Sequence, residues 1–285
     1  MAKTQDLRRR IRSIRNTRQL TRAMKLVSAS KLRRAQERIL RSRSYAHKVV
    51  QVLSSVAARM SAEGHPLLEE RGDRRVWIVV LTGDKGLCGS FNASILRRAL
   101  QLAREHAGAE LSFVTVGKRG RDYLRRFGHR VEREWADVFR SVDFPLAAEI
   151  SQTLIEAYTA QRVDRIYLVY NEFKSAIQAR PTTQRLLPVE PRAVPPGEIG
   201  EEYLYEPGAR ELLDSLLPHY VEQSVFQGLL ESVAAEHAAR MTAMDSATKN
   251  AGELIDSLTL TMNRVRQASI TTEIIEVVSG VEALG

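Results

Sequence analysis

The residues best placed to do chemistry lie in one loop, Thr82-Gly83-Asp84-Lys85-Gly86-Leu87-Cys88-Gly89-Ser90-Phe91-Asn92. It follows the apolar run Val76–Leu81 and precedes a helical pattern, where a nucleotide loop would lie. Its glycine spacing does not suit that task. There is no G-x-G-x-x-G, and no Gly-Lys-Ser/Thr that could reach phosphates and magnesium. A glycine-rich turn of this kind can instead let strand and helix pack closely. Cys88 is the only cysteine, and no neighbouring histidine can be identified as its base. A single cysteine makes neither a disulfide framework nor a cysteine-based metal cluster. The six histidines, His47, His65, His106, His129, His219 and His237, show neither HExxH nor paired-ligand spacing. No serine, histidine and aspartate group stands out as a triad. The expectation is a chain with no catalytic residue, no cofactor and no metal.

What the chain does have is long helices. From Pro218 to Gly285 no further proline occurs, and small or apolar residues recur at steps of four and three: Leu230, Ala234, His237, Met241, Met244, Thr248, Ala251, Ile255, Leu258, Met262, Val265 and Ser269. That is a heptad seam, which keeps one stripe of a helix facing a partner. Such a stretch makes a rod of roughly 90 Å at 1.5 Å per residue. A body of this size would be about 40 Å across, so the rod is expected to project from it. A second long helix is expected near the start, because residues 3–60 contain no glycine or proline. Its apolar positions run Leu7, Ile11, Ile14, Leu20, Met24, Val27, Leu32, Ala35, Ile39, Ala46, Val49, Leu53, Val56 and Met60, with an interruption around Thr17 and Thr21.

Charge separates the two arms. The net charge is +9 overall, yet residues 1–50 carry +14 and residues 209–285 carry −6. Arg8, Arg12, Arg15, Arg22 and Lys25 sit one position beyond the first seam, and Lys31, Arg34, Arg38, Arg41 and Lys48 continue the stripe. Two readings fit: a solvated flank beside an acidic partner helix, or contact with an external acidic surface. The start of the chain has no apolar run that would make a signal peptide, and no run of eighteen apolar residues would span a membrane.

Between the arms the periodicity changes. Val76–Leu81 has the continuous apolar character of a buried central strand. Helical patterns follow at 92–106, 119–127 and 146–160, and strands at 111–116, 131–135, 165–173 and 185–189. Strands alternating with helices imply an open sheet with helices on both faces. The expected fold class is therefore α/β plus coiled coil: a long antiparallel two-helix coiled coil from the two termini, with a Rossmann-like α/β domain inserted between its helices. The expected divisions are 1–62, 74–190, a linker with a short helix at 191–217, and 218–285, with Pro218 in the first turn of the last helix. Apolar residues at Ile270, Ile274, Ile275, Val277, Val278 and Val281 fill more than one stripe, so that end of the tail calls for enclosure. The first arm would pair lower down and leave it uncovered.

These residues resemble one family, the gamma subunit of the rotary F-type ATP synthase of bacterial type. The segment 270–281 is similar to its signature, Ile-Thr-x-Glu-x-x-Glu-x-x-x-Gly-Ala, in Ile270, Thr271, Glu273, Glu276 and Gly280, and departs from it at Val281. Similar motifs stand at 258–268, 23–32, 83–92 and 170–175, so the resemblance covers essentially the whole chain. It implies a non-catalytic central stalk that transmits rotation between a membrane ring of c subunits and the catalytic alpha/beta hexamer. The implied partners are alpha, beta, epsilon and the c ring, with membrane association only through the complex, at the cytoplasmic face of a bacterial inner membrane. By resemblance Arg266 and Gln267, with Arg264, Ile270, Thr271, Glu273, Ile274 and Ile275, are expected to meet the hexamer near its bearing. Met24 and Lys25, with Arg8, Arg12 and Arg15, are expected to face an acidic element of beta. The competing reading is a basic coiled coil that binds nucleic acid along its phosphates.

Overall fold

The computed structural model describes residues 2–59, 65–175, 178–190 and 209–282. The expected linker over 191–208 and the seam residue Met60 lie outside the described residues. The elements in order are α1 (Ala2–Arg59), β1 (Arg75–Leu81), α2 (Phe91–Glu105), β2 (Glu110–Val116), α3 (Lys118–Arg126), β3 (Val131–Trp135), α4 (Phe144–Thr159), β4 (Arg165–Phe173), β5 (Ala179–Leu187) and α5 (Ala209–Glu282). This is the expected class, two long terminal helices and an α/β domain. By its contacts the chain divides into two compact units: residues 1–28 with 240–285, and residues 29–239.

In the larger unit the strands run in the order β3-β2-β1-β4-β5, with β5 antiparallel and the others parallel. β1 is central and apolar from Val76 to Leu81, as a strand covered on both faces requires. Val76, Ile78 and Val80 face α2, where they pack with Phe91, Ile95, Ala99 and Leu102, and Leu124 of α3 joins the same cluster. α5 packs on the opposite face around Gly228 and reaches the α2 cluster with Ala235. Gly228 comes so close that a Cβ would lie 2.9 Å from Leu168 and 3.3 Å from Leu81. α1 contributes Leu32, Ala35, Ile39, Val49 and Leu53, all buried at heptad steps.

Two expectations are corrected here. The last strand was expected only at 185–189, yet β5 begins at Ala179. Its first seven residues are exposed or half-buried, as an edge strand allows, so Pro181, Thr182 and Gln184 need no apolar alternation. The tail was expected to start afresh at Pro218 after a separate short helix. Instead α5 is continuous from Ala209, with Pro218 in its interior. A proline there removes one backbone hydrogen bond and costs about 3 kcal/mol. Leu213, Leu217, Val221 and Val225 are buried on one side across that point. Each such side chain contributes roughly 1.5–3 kcal/mol, so packing outweighs the local rule.

In the smaller unit α1 and α5 run antiparallel. Thr21 Oγ1 meets Thr248 Oγ1 at 2.8 Å, and Lys25 Nζ meets Asp245 Oδ1 at 2.6 Å. Buried along the seam are Ile11, Thr21 and Ser28 of α1, and Met244, Ala251 and Ile255 of α5. The seam of α1 is thus corrected as well. Leu20 and Val27 are 62 % and 56 % exposed. The heptad set by Ile11 and Ile14 keeps its phase past the exposed Arg18, and it brings the hydroxyl residues Thr21 and Ser28 inward. Thr21 can be buried because its hydroxyl has partners in Thr248 and in the Arg18 carbonyl.

Candidate partner-binding surface

The 82–92 loop is built to hold the domain together. Asp84 ties three segments, its carboxylate accepting from the backbone N–H groups of Lys118, Asp137 and Phe139, each at 2.9 Å. Asn92 Oδ1 accepts from Gly83 N at 2.9 Å, and Asn92 Nδ2 donates to Cys88 Sγ at 3.3 Å. Gly117, with φ +102°, lies against the Thr82 carbonyl where no Cβ fits. A Cβ on Gly83 would sit 2.9 Å from Oε1 of the buried Glu236. The Glu236 carboxyl group therefore fills the space beside the loop. Among the described residues no cluster of His, Cys, Asp and Glu could hold a metal ion.

The residues singled out for partners fall on two helices of the smaller unit. On α5, Arg264, Arg266, Gln267, Thr271, Glu273 and Glu276 are exposed. Ile270, Ile274, Ile275, Val277, Val278 and Val281 are 47–67 % exposed. A helix turns about 100° per residue. On that wheel Ile270, Ile274, Val277, Val278 and Val281 share one side, and Ile275 widens it. The seam of Ile255, Leu258, Met262 and Val265 points the other way, continued by Thr272, Glu273 and Glu276. The apolar surface of the last turns is therefore directed away from the side that faces α1. Leu260, 71 % exposed, lies on the outward side too and was missed in the sequence because it falls between seam positions.

On α1, Arg8, Arg12 and Arg15 are exposed on one flank, and Met24 is half-buried. Lys25 is committed inside the unit. Its ion pair with Asp245, helped by Lys249 at 3.2 Å, holds that carboxylate below the usual range. For Lys25 the first of the two charge readings applies. Leu20 and Val27, displaced from the seam, flank Met24 at steps of four and three and form an outward apolar strip.

The family model described as "ATP synthase" matches residues 3–284. The ATP synthase gamma chain of Geobacter sp. (strain M21) is 47% identical over 100% of this chain and 99% of its own length. That of Pelotomaculum thermopropionicum is 48% identical over 100% of both. The chain belongs to the ATP synthase gamma chain family. Among solved structures of similar fold, the chain matches one from the central stalk and c-ring of the Tetrahymena thermophila mitochondrial ATP synthase. That match has TM-score 0.61 and 29% identity over 80% of this chain and 99% of the other. A chain of the Euglena gracilis mitochondrial ATP synthase has TM-score 0.70, covering 99% of this chain and 95% of the other; at 17% identity this likeness concerns the fold alone.

Proposed function

We propose that this member of the ATP synthase gamma chain family is the central shaft of a rotary F-type enzyme, itself without catalytic residues, coupling a membrane ring of c subunits to an alpha/beta hexamer. The observation that carries the reading is the outward apolar side of α5 over 270–281, exposed in the chain alone. An exposed apolar side of this kind, on a helix end with no cover of its own, marks a surface that other subunits enclose. Arg264, Arg266, Gln267, Thr271 and Glu273 supply hydrogen-bonding groups around that side, and Ile270, Ile274 and Ile275 the apolar contact. Arg8, Arg12 and Arg15, with Met24 beside them, offer a basic flank to an acidic element of beta, and Lys25 braces that region through Asp245.

The mechanism asks one thing of such a shaft: each angular position must favour a different state of the surrounding sites. Two unequal helices paired along one seam have no rotational symmetry, so each angle presents different residues to a given neighbour. The α/β domain would meet epsilon and the c ring. No helix among the described residues is long and apolar enough to cross a membrane. Association with the cytoplasmic face of a bacterial inner membrane would therefore run through the complex. The test is assembly with the other subunits and observation of a probe fixed to the α/β domain. Rotation driven by ATP supports the reading; ATP hydrolysis by the chain alone, or tight duplex DNA binding at physiological salt, overturns it. Arg266→Ala is expected to lower coupled synthesis by about tenfold, the worth of a charge-assisted hydrogen bond, with the chain still folded by circular dichroism.

A further inference from the structure

A groove of about 940 Å³ runs between α2 and α3, on the face of the sheet opposite α5. Arg97 and Arg104 line it from α2, and Arg119 and Arg126 from α3. In each pair the two arginines are seven residues apart, two helical turns, so they stand about 10 Å from each other on one side of their helix. All four are exposed. Between them Tyr123 and Phe127 are 37 % and 60 % exposed, with ring centroids 4.6 Å apart.

The neighbours of these arginines make the contrast. Arg98 pairs with Glu105 at 3.1 Å, Arg121 with Asp122 at 2.8 Å, and Arg125 with Glu134 at 2.7 Å. On the same two helices, then, arginines turned elsewhere have carboxylates, and among the described residues none of the four groove arginines has an ion pair. The one acidic residue lining the groove, Asp122, is held by Arg121. An apolar floor bordered on both sides by unneutralised guanidinium groups two turns apart matches a particular ligand shape.

We propose that this groove docks an acidic amphipathic helix of a partner protein, its apolar ridge on Tyr123 and Phe127 and its flanking Glu or Asp residues on the four arginines. A helix laid between two helices repeats side chains at the same two-turn interval as the arginine pairs. A bilayer is flat and would not follow a trough. The inference does not depend on the shaft reading and concerns a surface of the other unit.

The test uses the full chain and a fluorescein-labelled synthetic helical peptide with a leucine ridge and glutamates on both flanks, followed by anisotropy. Its twin carries glutamine in place of every glutamate. The glutamate peptide is expected to bind, and the glutamine twin to bind at least about tenfold more weakly. Replacing Arg97, Arg104, Arg119 and Arg126 by alanine is expected to weaken binding by at least about tenfold, and Tyr123→Ala with Phe127→Ala by about fivefold. Arg140→Ala with Arg162→Ala, exposed arginines outside the groove, should leave binding unchanged. Melting curves establish that each variant is folded; should the quadruple variant not fold, the aromatic pair decides. Equal affinity for the two peptides, or binding that persists in the groove variants because α1 carries it, overturns the proposal. So does a chain whose groove substitutions abolish binding to phosphatidylglycerol vesicles, or abolish self-association, without affecting the peptide.

Discussion

Two stretches of α5 have similar apolar content and opposite fates. Between residues 213 and 235, Leu217, Val221, Val225, Leu229 and Leu230 are 0–2 % exposed against the rest of the larger unit. Between 270 and 281, isoleucines and valines at comparable density are about half exposed. The difference is not propensity, since both are helix. It lies in what the chain supplies to cover them: a sheet and α1 for the first stretch, and no cover on the outward side for the second. One stretch reports how the protein folds, the other what it meets.

Substitutions should separate the two roles. Leu229→Ala leaves a cavity at a fully buried position and is expected to cost about 2–5 kcal/mol in urea unfolding of the isolated chain. Ile274→Ala with Ile275→Ala should change that unfolding by under about 0.5 kcal/mol. The same pair should weaken association with an alpha/beta assembly by about tenfold, measured by titration. Were the unfolding cost of the second pair as large as that of Leu229→Ala, the contrast between the two stretches would be lost.

Smaller effects concern charge. Glu231 lies in the buried stretch, its side chain 7 % exposed, with Arg43 3.6 Å away. Burial pushes its carboxyl above the usual range, against the weaker pull of Gln227 and Arg43. A folded value above the unfolded one means that the stability this group allows is complete below the unfolded pKa and declines as pH rises through the folded value. Glu231→Gln should therefore gain on the parent in melting temperature from pH 5 to pH 8; a gap that narrows over that range would contradict this. Asp245 has the opposite sign. Held low chiefly by Lys25, its contribution is present above the unfolded carboxylate pKa and lost as pH falls through the folded value. Asp245→Asn should lose a small increment at pH 7 and match the parent in strong acid. Equal melting points at pH 7 would mean that the pair is fully screened.

Much of this was legible in the sequence. Val76–Leu81 announces a covered strand because no polar residue interrupts it, and the tail seam from Leu230 to Ile255 can be followed because heptads leave few alternatives. The exposed end at 270–281 was legible for the same reason: its apolar residues spread past a single stripe. The phase of α1 was not. Leu20 and Val27 looked like seam residues by type, whereas Thr21 and Ser28 occupy it, and hydroxyls that satisfy one another carry no apolar signal. Only the end of β5 shows in the sequence, because an edge strand need not alternate, and Pro218 resembles a boundary there, because a local rule cannot register tertiary burial. The α2–α3 groove was out of reach, since its four arginines converge only once the sheet brings the two helices together.

The threonine pair also bears on how force can pass along the smaller unit. Were α1 to slide by one heptad against α5, Thr21 would leave Thr248 for Met241 or Ile255, and Lys25 would leave Asp245 for Ala238 or Gly252. Each stranded polar group would cost about 1–3 kcal/mol if kept from water. The threonine pair and the ion pair both favour one setting, so a load on one helix is resisted by the other before it can be relieved by slippage.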